Sequence, residues 1–82
     1  METTATEIFS TLDLYTAAYL TLAGISPALT LTNGRVAFQF PVTPDLYRNL
    51  DRFNRNEPVP CLDFTTELKT LRARMLAARN GR

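Results

Sequence analysis

The alternation of apolar and polar residues is strongest over Ser26–Pro41, where two alternating runs flank Asn33-Gly34. Asn-Gly between such runs is the strongest short-range signal of a two-residue β-hairpin, because both central positions need a positive φ. The register that this turn fixes has the facing pairs Leu31–Val36, Leu29–Phe38 and Pro27–Phe40. One face of the hairpin is then apolar, so we expect that face to be covered by the rest of the chain.

The segment before the hairpin has apolar residues at the helical period and predicts a first helix over about Leu12–Ala23. Ser10 is the expected N-cap, since an acid three residues later completes a capping-box pattern. Gly24 is expected to end the helix in the left-handed conformation. A short strand over Glu7–Ser10 precedes it.

Two further helices are predicted after the hairpin. Thr43-Pro44-Asp45 begins the second, with a capping threonine, a proline at the first position and an acid in the first turn, and Asn54–Asn56 ends it. The third is expected over about Phe64–Ala78, behind Asp63 as N-cap. Between them Val59–Leu62 is a candidate edge strand, which Pro60 disfavours.

The predicted fold is α+β in the order β-α-β-β-α-α, with a small antiparallel sheet that has the helices on one face. Eighty-two residues make one domain, 1–82, and we expect residues 1–6 and 80–82 to be frayed. Residues 14–34 carry no charge, but Gly24 and Pro27 interrupt them and argue against a membrane-spanning helix. The first residues lack the basic and apolar regions of a signal peptide.

The first predicted helix has one broad apolar arc, which includes Tyr15, and its opposite side is also nearly apolar, with Asp13 as its one charge. Such a helix is usually buried on more than one side. In so small a chain a partner could cover the second side, at Ala17 and Leu20. We therefore expect a non-enzymatic interaction module that forms a homo-oligomer or binds a protein partner.

The sequence contains no histidine and one cysteine, which limits its chemistry. Serine or cysteine catalysis that uses a histidine base, histidine zinc sites and CxxC pairs are all ruled out within this chain. No glycine-rich phosphate loop is present, so we expect no cofactor and no metal. Cys61 is interpreted as a small buried hydrophobe, and a lone cysteine fits a reducing, cytoplasmic compartment.

Positive charge is concentrated at the end of the chain. Residues 1–67 carry eight acids and four arginines, whereas residues 68–82 carry five bases and no acid. Arg48, Arg52 and Arg55 form one stripe on the second predicted helix. A second stripe, on one flank of the third, consists of Lys69, Arg72 and Arg79. If these helices lie side by side, the stripes merge into a nucleic-acid-binding surface. The alternative is that both stripes are solvated helix faces.

The order of these signals resembles a family of small bacterial and phage-associated domains of unknown function. The resemblance rests on Asp13-Leu14-Tyr15 at the start of a double-alanine helix, on the Asn33-Gly34 hairpin with its Val-x-Phe-x-Phe strand, and on Thr43-Pro44-Asp45-Leu46. It covers about residues 8–76 and also includes Leu68-Lys69-x-Leu71. It implies a compact α+β fold and no assigned activity.

Overall fold

The computed structural model describes residues 7–80, and its elements follow the predicted β-α-β-β-α-α order. The elements are β1 (Ile8–Thr11), α1 (Leu14–Leu22), β2 (Ala28–Thr32), β3 (Arg35–Pro41), α2 (Pro44–Asn54) and α3 (Cys61–Arg79). The three strands form one antiparallel sheet and the fold is α+β. Of the residues predicted to be frayed, 1–6 and 81–82 lie outside the described residues, whereas Asn80 is the C-cap of α3 and donates its N–H to the Leu76 carbonyl.

The sheet has the order β1-β3-β2, so β3 is the central strand. The hairpin register is confirmed, with Leu31 opposite Val36 and Leu29 opposite Phe38. Asn33 and Gly34 have φ angles of 53° and 78°, as a two-residue turn of this type needs. The ladder begins at Ala28, so the predicted pair between Pro27 and Phe40 is not part of it.

One face of the sheet carries the core. Val36, Phe38 and Phe40 of β3 alternate with less buried neighbours and are themselves buried against the helices. The largest side chains with no exposed surface belong to the sheet and to all three helices: Phe38, Phe40, Leu20, Leu46 and Leu71. The molecule is thus one layer of helices on one layer of sheet, with extents of 39 × 32 × 17 Å.

Helix α1 begins later than predicted, because Asp13 and not Ser10 is its N-cap. The Asp13 carboxylate accepts hydrogen bonds from the backbone N–H groups of Tyr15 and Thr16. Ser10 belongs to β1, where it pairs with Gln39. Pairing with β3 therefore extends the strand over the residue that the local pattern assigned to the cap.

The end of α1 is as predicted. Gly24, with a φ of 97°, donates its N–H to the Thr21 carbonyl, and Ile25 donates to the Leu20 carbonyl. This pair of hydrogen bonds is a Schellman motif, in which a left-handed glycine ends the helix.

Helix α2 starts as predicted, with the Thr43 hydroxyl accepting from the Leu46 N–H and Pro44 in the first turn. The predicted start of α3 was wrong, and the candidate edge strand over Val59–Leu62, which Pro60 disfavoured, is not formed. The helix already begins at Cys61 after Pro60, with no side-chain cap, and Asp63 lies in its first turn. An acidic residue in the first turn interacts favourably with the helix dipole whether or not it is the N-cap. The presence of Asp63 therefore did not identify the first residue of the helix.

Ala17 and Leu20 have no exposed surface and belong to the hydrophobic core. Four consecutive α1 residues, Ala17 to Leu20, are buried, and at about 100° per residue these point in nearly all directions around the helix. α1 packs on both α2 and α3, and the centroids of the Tyr19 ring of α1 and the Phe53 ring of α2 are 5.3 Å apart. The second apolar side of α1 is therefore covered by the chain itself, and the predicted partner contact at these residues was wrong.

Cys61 is exposed, contrary to its interpretation as a buried hydrophobe, because it occupies the first turn of α3. None of the helices among residues 7–80 is long and apolar enough to cross a membrane.

Candidate functional site

Arg48 and Arg52 of α2, and Arg55 at its C-cap, are each close to an acid. The Nη2 atom of Arg48 lies 3.0 Å from Oδ1 of Asp45, and the Nη2 atom of Arg55 lies 2.8 Å from Oδ2 of Asp51. Arg52 is 3.9 Å from Glu57, which also lies 3.9 Å from Arg55. These pairs are exposed and contribute little stability, but they neutralise most of the positive field of this stripe.

The basic residues of α3 have a different environment. Lys69, Arg72 and Arg79 form no ion pair with any acid of residues 7–80. Along with Leu76 they follow i, i+3, i+7, i+10 spacing, so they share one flank of the helix. α1 packs on both α2 and α3, whereas those two helices share no extensive contact. The structure therefore does not merge the two predicted stripes by packing α2 beside α3.

The flank of α3 borders a groove of about 270 Å³ against the start of α1. Its lining residues are Leu14, Tyr15, Thr65, Leu68, Lys69 and Arg72. The Tyr15 side chain is 58% exposed, although the sequence pattern placed it on the apolar arc of the helix. The groove thus combines an accessible aromatic ring with two cations and has no acid in its lining.

A second groove, of about 230 Å³, adjoins the C-terminal half of α3. It is lined by Leu12, Gly34, Arg35, Val36, Met75 and Arg79. Leu12 lies two residues before Leu14, and Met75 lies one helical turn after Arg72, so the two grooves follow one another along α3. We call the surface formed by both grooves the basic groove.

Sequence reasoning found the α3 bases of the basic groove and missed Tyr15 and Arg35. Arg35 follows the hairpin turn, and the turn is brought to the end of α3 only by the tertiary packing. Tyr15 was missed because a helical apolar arc does not show where the covering layer stops. The exposed Leu12, 50% accessible, marks the same uncovered end of α1.

A different surface is the outer edge of the sheet at β2. In the order β1-β3-β2, the second side of β2 pairs with no strand among residues 7–80. β2 reads Ala-Leu-Thr-Leu-Thr and contains no charge and no proline. On the face of the sheet that carries Thr30 of β2 and Gln39 of β3, the Thr30 hydroxyl donates a hydrogen bond of 3.1 Å to the Gln39 side-chain oxygen. Edge strands are usually protected by charges, prolines or bulges, and β2 has neither a charge nor a proline.

Within residues 7–80, no group of three or more histidine, cysteine, aspartate or glutamate side chains could hold a metal ion. Asp45 and Asp51 have arginine partners, and Asp13 caps α1. The surfaces that stand out are therefore the basic groove and the β2 edge, both of which are suited to binding.

Comparisons with known proteins agree with a small domain of this kind. No curated protein and no solved structure is significantly similar to the chain. A family match covers residues 6–77, which is most of the sequence and includes all the strands and nearly all of α3. This extent is close to the residues 8–76 over which the motifs resemble a family of unknown function. The chain therefore belongs to the family described as "Domain of unknown function (DUF5659)".

Proposed function

We propose that this domain is a non-enzymatic interaction module that self-associates through the outer edge of β2. The observation that carries the proposal is the outer edge of β2 (Ala28–Thr32), which is uncharged and pairs with no strand among residues 7–80. A cytoplasmic location and the bacterial or phage association implied by the sequence resemblance belong to the same proposal.

The backbone of β2 is suited to a second copy of itself. The two-residue turn is closed by the hydrogen-bonded pair Thr32–Arg35, and such pairs alternate along an antiparallel ladder. Leu29 and Leu31 therefore direct their N–H and C=O groups away from β3, toward the free edge. An antiparallel pairing centred on Thr30 sets Leu29 of one copy opposite Leu31 of the other and satisfies these groups on both strands.

The expected dimer is weak. Stable interfaces bury about 1,200–2,000 Å² in total, and an edge of five residues covers less than that. Sedimentation velocity over a concentration series should therefore show a reversible monomer–dimer equilibrium. A protein that stays monomeric at the highest concentration contradicts the proposal.

A proline at position 31 tests the edge itself. Leu31→Pro removes the N–H that points to the free edge and no hydrogen bond to β3, so it should abolish the dimer. Leu31→Ala is the matched control, because it shortens the same half-exposed side chain and keeps the N–H. Dimers that persist in Leu31→Pro, with the native circular dichroism spectrum, would place the contact elsewhere.

Nucleic-acid binding through α3 is the second candidate. It is favoured by one observation, the absence of ion pairs to Lys69, Arg72 and Arg79 among residues 7–80, in contrast to the paired arginines of α2. With Arg35, four cations line the basic groove, and an affinity that depends on phosphate contacts falls steeply with salt. Arg72→Ala should weaken binding and reduce the salt dependence, whereas Arg55→Ala should change little. Equal effects of the two variants would argue against this surface.

A further inference from the structure

We propose that the basic groove binds single-stranded nucleic acid, with one unpaired base stacked on Tyr15 and the adjoining phosphates on Lys69 and Arg72. This inference rests on the second candidate function and specifies its ligand. It begins from the exposed ring of Tyr15, which lines the same groove as both cations.

The chemistry of the groove matches the two parts of a nucleotide. Proteins that bind single strands combine cations that follow the backbone with aromatic rings on which bases stack. Tyr15 provides the ring from the first turn of α1, and Lys69 and Arg72 provide the charges from α3. The part of the basic groove that Tyr15, Lys69 and Arg72 line has a volume of about 270 Å³, which is smaller than the pockets of drug-sized ligands. A planar base is a suitable occupant of that volume.

The acid closest in sequence to Tyr15 does not oppose a phosphate strongly. Asp13 accepts hydrogen bonds from the backbone N–H groups of Tyr15 and Thr16 and from the Thr16 hydroxyl. Its charge is thus directed to the N-terminus of α1, where the positive end of the helix dipole offsets it. None of the residues that line the groove is acidic.

The second groove, which Arg35 and Arg79 line, indicates the path of the bound nucleic acid along α3. Lys69 and Arg79 are separated by about 15 Å along α3, at a rise of 1.5 Å per residue. Arg79 and Arg35 line the groove that comes next along the helix. A single strand of a few nucleotides can therefore run along α3 from Lys69 to Arg79. In a duplex the bases are stacked on one another and would not be available to Tyr15.

A second copy of this chain is not a suitable occupant of the same surface. Two identical basic grooves would bring like charges together without acids to offset them. An acidic peptide without aromatic residues would satisfy the cations but has no ring to stack on Tyr15, and polyglutamate enters the test as such a competitor.

The experiment measures binding of a labelled oligothymidylate of about ten nucleotides, within the site sizes of small single-strand binders. The comparisons are an abasic strand of the same length, a duplex, and polyglutamate as competitor. We expect the thymidylate to bind at least tenfold more tightly than the abasic strand, and more tightly than the duplex. Four phosphate contacts give a log–log salt slope of about −3 on a single strand.

The variants separate stacking from charge. Tyr15→Ala should weaken thymidylate binding about tenfold or more and leave abasic binding unchanged, whereas Tyr15→Phe should restore most of the loss. Tyr47→Ala is the matched control, since Tyr47 is similarly exposed on α2, at 55%. The chain contains no tryptophan and three tyrosines, so quenching of tyrosine fluorescence reports the stacking directly and should decrease in Tyr15→Phe.

Equal binding of the abasic and thymidylate strands, or competition by polyglutamate at matched charge, would overturn the inference and leave charge alone as the determinant. No binding of any oligonucleotide at low salt would remove the candidate function itself. Binding that Tyr15→Ala and Tyr47→Ala weaken equally would also overturn the role of Tyr15.

Discussion

Truncation of Leu20 decides whether α1 is a core helix or an interface helix. Leu20 has no exposed surface and packs in the cluster that includes Phe38 and Leu71. Leucine-to-alanine changes at such sites cost about 2.7–5.0 kcal/mol, and we expect about 3 kcal/mol here. A domain of this length has a stability of roughly 4–12 kcal/mol, so the loss is a large fraction of the total.

The assay is thermal and urea unfolding followed by circular dichroism at two protein concentrations. At about 4–8 °C per kcal/mol, Leu20→Ala should lower Tm by about 12–24 °C. Because the lost contacts lie within one chain, the loss should be the same at both concentrations. Leu62→Ala is the matched control, since Leu62 is 77% exposed and its truncation should change stability by less than about 0.5 kcal/mol. A loss below about 1 kcal/mol for Leu20→Ala, or a loss that disappears on dilution, would refute the assignment of Leu20 to the monomer core.

Substitutions at the two ends of α1 test its boundaries. Asp13→Ala should destabilise the domain by about 0.5–2 kcal/mol because it removes the N-cap of α1. Ser10→Ala should cost less, because Ser10 lies on β1. The opposite ranking of the two free energies in urea unfolding would identify Ser10 as the cap. Gly24→Ala should cost about 1 kcal/mol or more in the same assay. A methyl group at this position meets no atom within 4 Å, so no steric clash adds to the cost of the φ of 97°, and a neutral result would argue against a left-handed Gly24.

The features that could be predicted from the sequence depend on residues close together in the chain. The hairpin register follows from Asn33-Gly34 and a two-residue period, and the start of α2 follows from Thr43-Pro44-Asp45. Both patterns contain their own cause, since turn conformation and helix capping are local hydrogen-bonding problems.

The features that could not be predicted depend on which elements become neighbours. Ser10 and Asp13 are both good caps, and pairing with Gln39 of β3 assigns Ser10 to a strand. The apolar pattern showed that α1 has two buried sides, but not that α2 and α3 of the same chain cover Ala17 and Leu20. The basic groove has the same origin, because Tyr15 and Arg72 are far apart in the sequence and meet only in the packed fold.

The sheet order also has a consequence for the path of folding. β2 and β3 are joined by a two-residue turn, so their pairing closes a short loop and a hairpin of this kind forms within microseconds. β1 comes first in the sequence and pairs with β3, with Thr11 opposite Phe38. The chain between these two strands contains α1 and β2. Its docking must close a much longer loop and must await the strand that becomes central. The strand that leaves the ribosome first therefore completes the sheet last.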